Sequence, residues 1–314
     1  MRASPLIRPL LLPALGILLG ILPYFSYAAG EAAYIIPIEA ARGRTLVTVR
    51  VGEVEVPRIL LDSGMPFDGV MIYNPAYADS LDLTNAIDVK IPGAGGGDAS
   101  NGAMLDSAVF TVGNLEMTNQ RIILLKSDAY KGFPTNGIIG YSIFGHYATE
   151  LDYDKSVMIL HDADSLRADS TWTTIPMYFK DNNIPWIDVL IATEDEAPVL
   201  VSAYIDYASG DAIELLERPE MKFALPRETK KAHLGRGLSG DIYGKTGRIS
   251  RLIIGGYELT DVPAAIAPAA VRSKQKDADA ILGNGSLSKF NLIFDYAGKR
   301  LYIKPNASFK KPFE

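Results

Sequence analysis

The stretch Ile59-Leu60-Leu61-Asp62-Ser63-Gly64 decides how this chain is read. Three aliphatic residues bring a carboxylate to the end of a buried strand, and a small hydroxyl residue and a glycine follow where the chain must turn. A second apolar run, Val70-Met71-Ile72, leaves that turn. Upstream, Thr45 to Val51 alternates apolar and polar residues, as a strand with one wet face does, and Val54 to Leu61 forms a further strand across Pro57. Downstream, Ala108 to Val112, the turn pair Gly113-Asn114 and Leu115 to Met117 read as a hairpin, and Arg121 to Leu125 as another short strand. Asn74-Pro75 predicts a short helix with Asn74 as its cap and Pro75 at its first position; Pro219 predicts its counterpart later in the chain.

That counterpart is expected because the chain repeats itself once. Gly137-Ile138-Ile139-Gly140 leads through Tyr147 to Leu151-Asp152-Tyr153 and the apolar Val157 to Leu160. Ala280-Ile281-Leu282-Gly283 leads through Phe290 to Phe294-Asp295-Tyr296 and the apolar Leu301 to Ile303. Gly140 and Gly283, and Asp152 and Asp295, share an offset of 143; the Thr111-Val112-Gly113 and Ile253-Ile254-Gly255 blocks share 142; Asp62 and Asp206 share 144. Blocks in one order with single-residue drift predict a duplicated, all-β domain, and the period is far too long for a solenoid. The polar stretch 161–174 reads as the linker between a first lobe, 29–160, and a second lobe, 175–314.

Asp-Ser-Gly after a hydrophobic strand, followed by Gly-Ile-Ile-Gly and an acidic-aromatic pair, resembles the aspartic peptidases of the pepsin and retropepsin type, most closely the bacterial two-lobed aspartyl protease family. The resemblance spans nearly the whole chain after the N-terminal segment. It implies two β-barrel lobes related by a pseudo-two-fold axis, an active-site cleft between them, and hydrolysis of a peptide or protein substrate. It implies further that Asp62 and Asp206 form a catalytic pair, one carboxylate from each lobe, sharing a proton and activating a water. In such a site Ser63 bonds across to the opposite loop's backbone and Gly64 lets the loops approach. The resemblance calls for no metal and no cofactor.

The second copy departs from the pattern. It reads Asp206-Tyr207-Ala208-Ser209-Gly210, so a large ring replaces the hydroxyl residue and a methyl group is added at the glycine position. Ser209 supplies the missing hydroxyl if the loop is shifted by a residue or two. If the loop is instead degenerate, the chain is a peptide-binding protein without activity.

Two glycine clusters fall where this family places flaps over the cleft: Gly93 to Gly102, with Gly95 and Gly96 at its centre, and Gly237 to Gly244, where Tyr243 is an aromatic candidate for contact with a peptide. The alternative is a pair of surface loops. Gly93 to Gly97 lacks the Lys-Ser/Thr of a phosphate-binding loop. Gly140-Tyr141-Ser142 does not continue into a serine-hydrolase elbow. His146, His161 and His233 are scattered without metal-ligand spacing and read as surface or partly buried residues. Asp152 and Asp295 read as turn or strand-end groups.

The composition narrows the rest. A net charge of −6 argues against a nucleic-acid partner. With no cysteine, disulfides, thiolate chemistry, Cys-ligated zinc and a cysteine-linked lipoprotein anchor are excluded, and 48% hydrophobic residues must supply the core alone. Arg2 and Arg8, the apolar Leu10 to Leu22 and Ser26-Tyr27-Ala28 predict a signal peptide over residues 1–28, cut after Ala28, and so an exported protein, periplasmic or secreted. Left uncut, that segment would be the chain's one membrane attachment.

Overall fold

The computed structural model describes residues 32–41, 43–95, 97–180, 182–272 and 277–313. The expected signal peptide and Gly96 lie outside the described residues.

Two eight-stranded sheets have the same strand order. In the first lobe Glu39–Ala41, Arg44–Val51 and Val54–Leu61 form an antiparallel edge, followed by Gly137–Ile139, Val70–Ile72, Leu115–Leu125, Ser100–Val112 and Ile87–Ile91. In the second lobe the same succession is Tyr178–Phe179, Pro185–Ala192, Val199–Asp206, Ala280–Gly283, Ile213–Glu217, Tyr257–Pro268, Gly240–Ile254 and Lys230–Gly237. Each sheet also folds back on itself, Arg44–Val51 meeting Ser100–Val112 and Pro185–Ala192 meeting Gly240–Ile254. The duplication read from the sequence is therefore a duplication of topology, and the chain is an all-β, two-lobed protein.

The parallel pairings matter most for the site. Val54–Leu61 runs beside Gly137–Ile139, and Val199–Asp206 beside Ala280–Gly283. These strands are buried on both faces: Ile59, Leu61, Ile139, Ala203, Ile205, Ala280 and Leu282 on one side are inaccessible to solvent, and Leu60, Tyr204 and Ile281 on the other are buried as well. Parallel strands so covered read as continuous apolar runs, which is why these segments lack alternation. Burial of each such leucine or isoleucine contributes about 1.5–3 kcal/mol, holding both strand ends where Asp62 and Asp206 emerge.

A third, six-stranded sheet joins the lobes: Ala32–Pro37, Val157–His161, Ala148–Asp152, Phe290–Asp295, Arg300–Pro305 and Thr173–Pro176. Its central seam pairs Thr149, Glu150 and Leu151 with Phe294, Ile293 and Leu292. The main hydrophobic cluster runs through this seam from one lobe to the other. The stretch 161–174 is thus less of a linker than its polarity suggests, because His161 ends one strand of this sheet and Thr173 and Thr174 begin another. His161 is fully buried rather than superficial, and its Nε2 lies 2.8 Å from Glu150 Oε2.

The short helix at Asn74-Pro75 is present as a single 3₁₀ turn, Pro75–Tyr77, with the Asn74 side chain accepting from the Ala76 amide at 3.0 Å. No helix starts at Pro219. Arg218 precedes it in place of a capping Asn, and a guanidinium only donates, here to the carbonyls of Glu220 and Ala278, so it cannot accept from the first amides of a helix. Asp152 and Asp295 close their turns as expected, accepting from the amides of Lys155 (3.0 Å) and Gly298 (2.7 Å).

Candidate active site between the lobes

Asp62 leaves the end of Val54–Leu61 with its amide bonded to Ile139 O at 2.8 Å. The turn then closes on the aspartate itself: Met65 N donates to Asp62 O (3.2 Å) and Gly64 N to Asp62 Oδ1 (2.7 Å). Gly140 has to be glycine, because a Cβ there would stand 2.1 Å from Asp62 O. The second loop is built to the same plan. Ser209 N donates to Asp206 O (3.0 Å) and to Asp206 Oδ1 (3.2 Å), and a Cβ on Gly283 would stand 2.2 Å from Asp211 O.

The anchoring bonds fix the alignment of the two loops. Tyr141 N donates to Met65 O at 3.0 Å, and its counterpart Asn284 N donates to Ser209 O at 2.8 Å. Ser209 therefore corresponds to Met65, and the second loop is not shifted. The expectation that Ser209 replaces the missing hydroxyl is corrected: its Oγ is spent locally on the Asp211 amide (3.3 Å). Tyr207 does occupy the position of Ser63, and Ala208 that of Gly64.

One cross-lobe contact of the expected kind is made. Ser63 Oγ donates to Ile205 O at 2.7 Å and accepts from Tyr207 N at 2.9 Å, a buried bridge from the first loop to the backbone on either side of Asp206. Tyr207 does not return it. Its ring is fully buried, and its hydroxyl turns to Thr45 and Tyr153 of the first lobe.

The two aspartates are close enough to act on each other. Burial pushes the Asp62 carboxyl up, the neighbouring charge of Asp206 raises it further, and the Gly64 and Met65 amides oppose both; the result is a pKa of about 7. Burial is the larger cause, and the like charge of Asp206 adds to it, so the Asp62 carboxyl keeps its proton close to neutrality. Two tyrosines feel the same charge. Tyr73 is pushed up to about 12, first by burial and also by Asp62, while its hydroxyl is bonded to Thr135. Tyr296 is raised well above its ordinary value by burial and then by Asp62, and its buried hydroxyl has no hydrogen-bond partner among the described residues.

The glycine clusters are hairpin tips, and the tips touch. Gly97 N donates to Ser239 O (2.6 Å), Ser239 N to Ala94 O (2.9 Å), Gly93 N to Ser239 Oγ (3.1 Å) and Ser100 Oγ to Leu238 O (2.6 Å). Cβ atoms on Gly95 and Gly237 would lie 2.6 Å from Gly240 O and 2.2 Å from Ala94 O, so close approach of the two backbones explains those glycines. Leu238 packs into the first lobe's cluster around Met71, Tyr73 and Tyr130. Tyr130 donates to Gly237 O at 2.7 Å, and Arg236 to Ala129 O at 3.0 Å. Tyr243 is 65% exposed and rests edge-on against His233; it takes no part in the contact between tips.

Sequence reasoning gave no site role to Tyr73, Tyr130 or Tyr296. A signal for Tyr296 was available, since Tyr153 and Tyr296 are repeat partners and both begin the turn after a seam strand. Among the described residues no cluster of acidic and histidine side chains could hold a metal ion.

No family model matches the chain, and no curated protein does. Among solved structures it is similar to the aspartic proteinase from Irpex lacteus, with a TM-score of 0.54 and 13% identity over 90% of this chain and 99% of that one. The likeness shows the pepsin-like two-lobed fold.

Proposed function

We propose that the protein is an aspartic-type peptidase that hydrolyses peptide or protein substrates between its lobes, with Asp62 and Asp206 as the catalytic pair. The observation that carries this reading is the placing of two carboxylates at equivalent strand ends of a duplicated fold, close enough for Asp206 to help hold Asp62 protonated to about pH 7. Asp206 takes a proton from a water, whose oxygen attacks the scissile carbonyl carbon, while Asp62 gives its proton to the carbonyl oxygen. The tetrahedral diol then returns a proton to Asp62, Asp206 protonates the leaving nitrogen, and the C–N bond breaks. Entry of a substrate requires the two hairpin tips to part.

A second reading has its own support: Tyr207 and Ala208 break the loop pattern, and Asp206 Oδ1 has its amide donor at 3.2 Å where Asp62 has one at 2.7 Å. On that reading the cleft binds peptides without cutting them. Residues 29–314 incubated with a mixed peptide library between about pH 3 and 8, beside Asp62→Asn and Asp206→Asn, separate the two. Cleavage abolished in both variants supports the peptidase. A folded protein that captures peptides intact at every pH supports the alternative. We propose also that the chain acts outside the cytoplasm after cleavage at Ala28, and an exported chain that does not begin at Ala29 refutes that site.

A further inference from the structure

We infer that a closed ring of four hydrogen bonds through Thr45, Tyr207, Tyr153 and Asn284 positions Asp206, and that Tyr207 is a positioning residue of the catalytic pair rather than a defect in it. The inference rests on the peptidase reading above.

The ring follows from donor and acceptor capacity. Thr45 Oγ1 donates to the Tyr207 hydroxyl at 3.3 Å. Tyr153 donates to Asn284 Oδ1 at 2.9 Å, which leaves the bond between the two tyrosine hydroxyls to the Tyr207 proton. Asn284 Nδ2 completes the circuit by donating to Thr45 Oγ1 at 3.0 Å. Each proton of the circuit has an acceptor; the three hydroxyl protons are then all placed, and the 2.8 Å pair of Tyr153 and Thr45 oxygens has none of its own. Thr45, Tyr207 and Asn284 are fully buried. Satisfied polar networks at such depth fix geometry, because opening one strands its members without water.

Two members belong to each lobe, and the two from the second lobe flank Asp206. Tyr207 follows it directly. Asn284 follows Gly283, which pairs with Asp206 in the parallel ladder, and its amide holds Ser209 O at 2.8 Å. The Tyr207 ring is fixed edge-on against Phe144 (6.0 Å between centroids) and Phe294 (5.5 Å). Ser63 grips the opposite loop by its backbone; Tyr207 reaches past that loop and grips the first lobe by side chains. The two halves of the duplication thus meet the same need with a short arm and a long one, which accounts for a bulky residue at a crowded position.

The test is Tyr207→Phe, which keeps the ring and removes the hydroxyl, with Tyr153→Phe opening the same circuit from the other lobe. Titratable groups that feel the Asp62 carboxyl are Asp206, Tyr73 and Tyr296, and neither variant removes any of them. Expected in each variant is a fall in kcat of roughly tenfold, the loss of one charge-organising hydrogen bond, with KM changed less than about twofold and the alkaline limb of the pH profile moved to lower pH as Asp206 relaxes away from Asp62. The double variant should resemble either single one. Unchanged kcat and pH profile with only a lower Tm would overturn the inference and leave the ring a structural device. Carboxyl NMR titration of Asp62 in wild type and both variants reads the same effect without turnover. A wild type that cuts nothing, with an Asp62 midpoint that nevertheless drops in the variants, sinks the peptidase reading and keeps the ring. A midpoint that stays put sinks the ring alone.

Discussion

Replacing Asp62 by Asn should stabilise this protein at neutral pH and leave it unchanged in acid. A free aspartate titrates at 3.8 and Asp62 at about 7. At about 1.4 kcal/mol per pH unit, that difference is worth at most about 4 kcal/mol of folding free energy. The sign follows from proton counting. Below about pH 4 both folded and unfolded chains carry the proton, and stability is complete. As pH rises towards 7 the unfolded chain releases it while the folded chain keeps it, so stability falls; above 7 both are ionised and the loss levels off. Asparagine has no proton to release, yet its oxygen still accepts from Gly64 N. Urea unfolding of residues 29–314, followed by Trp172 and Trp186 fluorescence at about pH 4, 5.5, 7 and 8, gives both stability curves. They should coincide near pH 4 and diverge to as much as about 4 kcal/mol in favour of Asp62→Asn at pH 8. Parallel curves across that range would mean that Asp62 ionises like a surface aspartate, and the case for a proton-sharing pair would fall with it.

Ser63→Ala should destabilise by about 2–3 kcal/mol in urea, because it removes two buried bonds and leaves the Tyr207 amide unsatisfied; a loss under about 0.5 kcal/mol would show that the lobes do not depend on this bridge. Gly140→Ala sets a methyl group against Asp62 O, and overpacking of this kind costs about 1–3 kcal/mol; activity retained at the wild-type level would contradict the tight seat described for Asp62. Tyr130→Phe removes the donor to Gly237 O, so amide hydrogen exchange at residues 237–240 should quicken several-fold while the rest of the second lobe is unchanged; uniform protection would mean that Tyr130 does not hold the tip.

The sequence by itself determined the duplication, the all-β class and the place of Asp62 at the end of a buried strand, and for physical reasons. Parallel strands buried on both faces must be apolar along their length, so Ile59-Leu60-Leu61 and Gly137-Ile138-Ile139 stand out in the sequence and recur as Ala203-Tyr204-Ile205 and Ala280-Ile281-Leu282. A turn that returns on its own carboxylate needs a small residue next to it, so Gly64 is equally legible. Contacts that close only in three dimensions were not. The fate of Tyr207 depends on Thr45, 162 residues away, and on Tyr153 and Asn284, none of which carries a local signal. Residues 161–174 look like a linker because they are polar, yet their two ends are strands of the sheet that joins the lobes. The two glycine clusters announce bends but not that Ala94 and Ser239 will meet. Local steric and hydrophobic rules write strands and turns into neighbouring residues; the partners of a buried hydroxyl and the meeting of two hairpin tips are set by where the two lobes come to rest, and that only the tertiary structure decided.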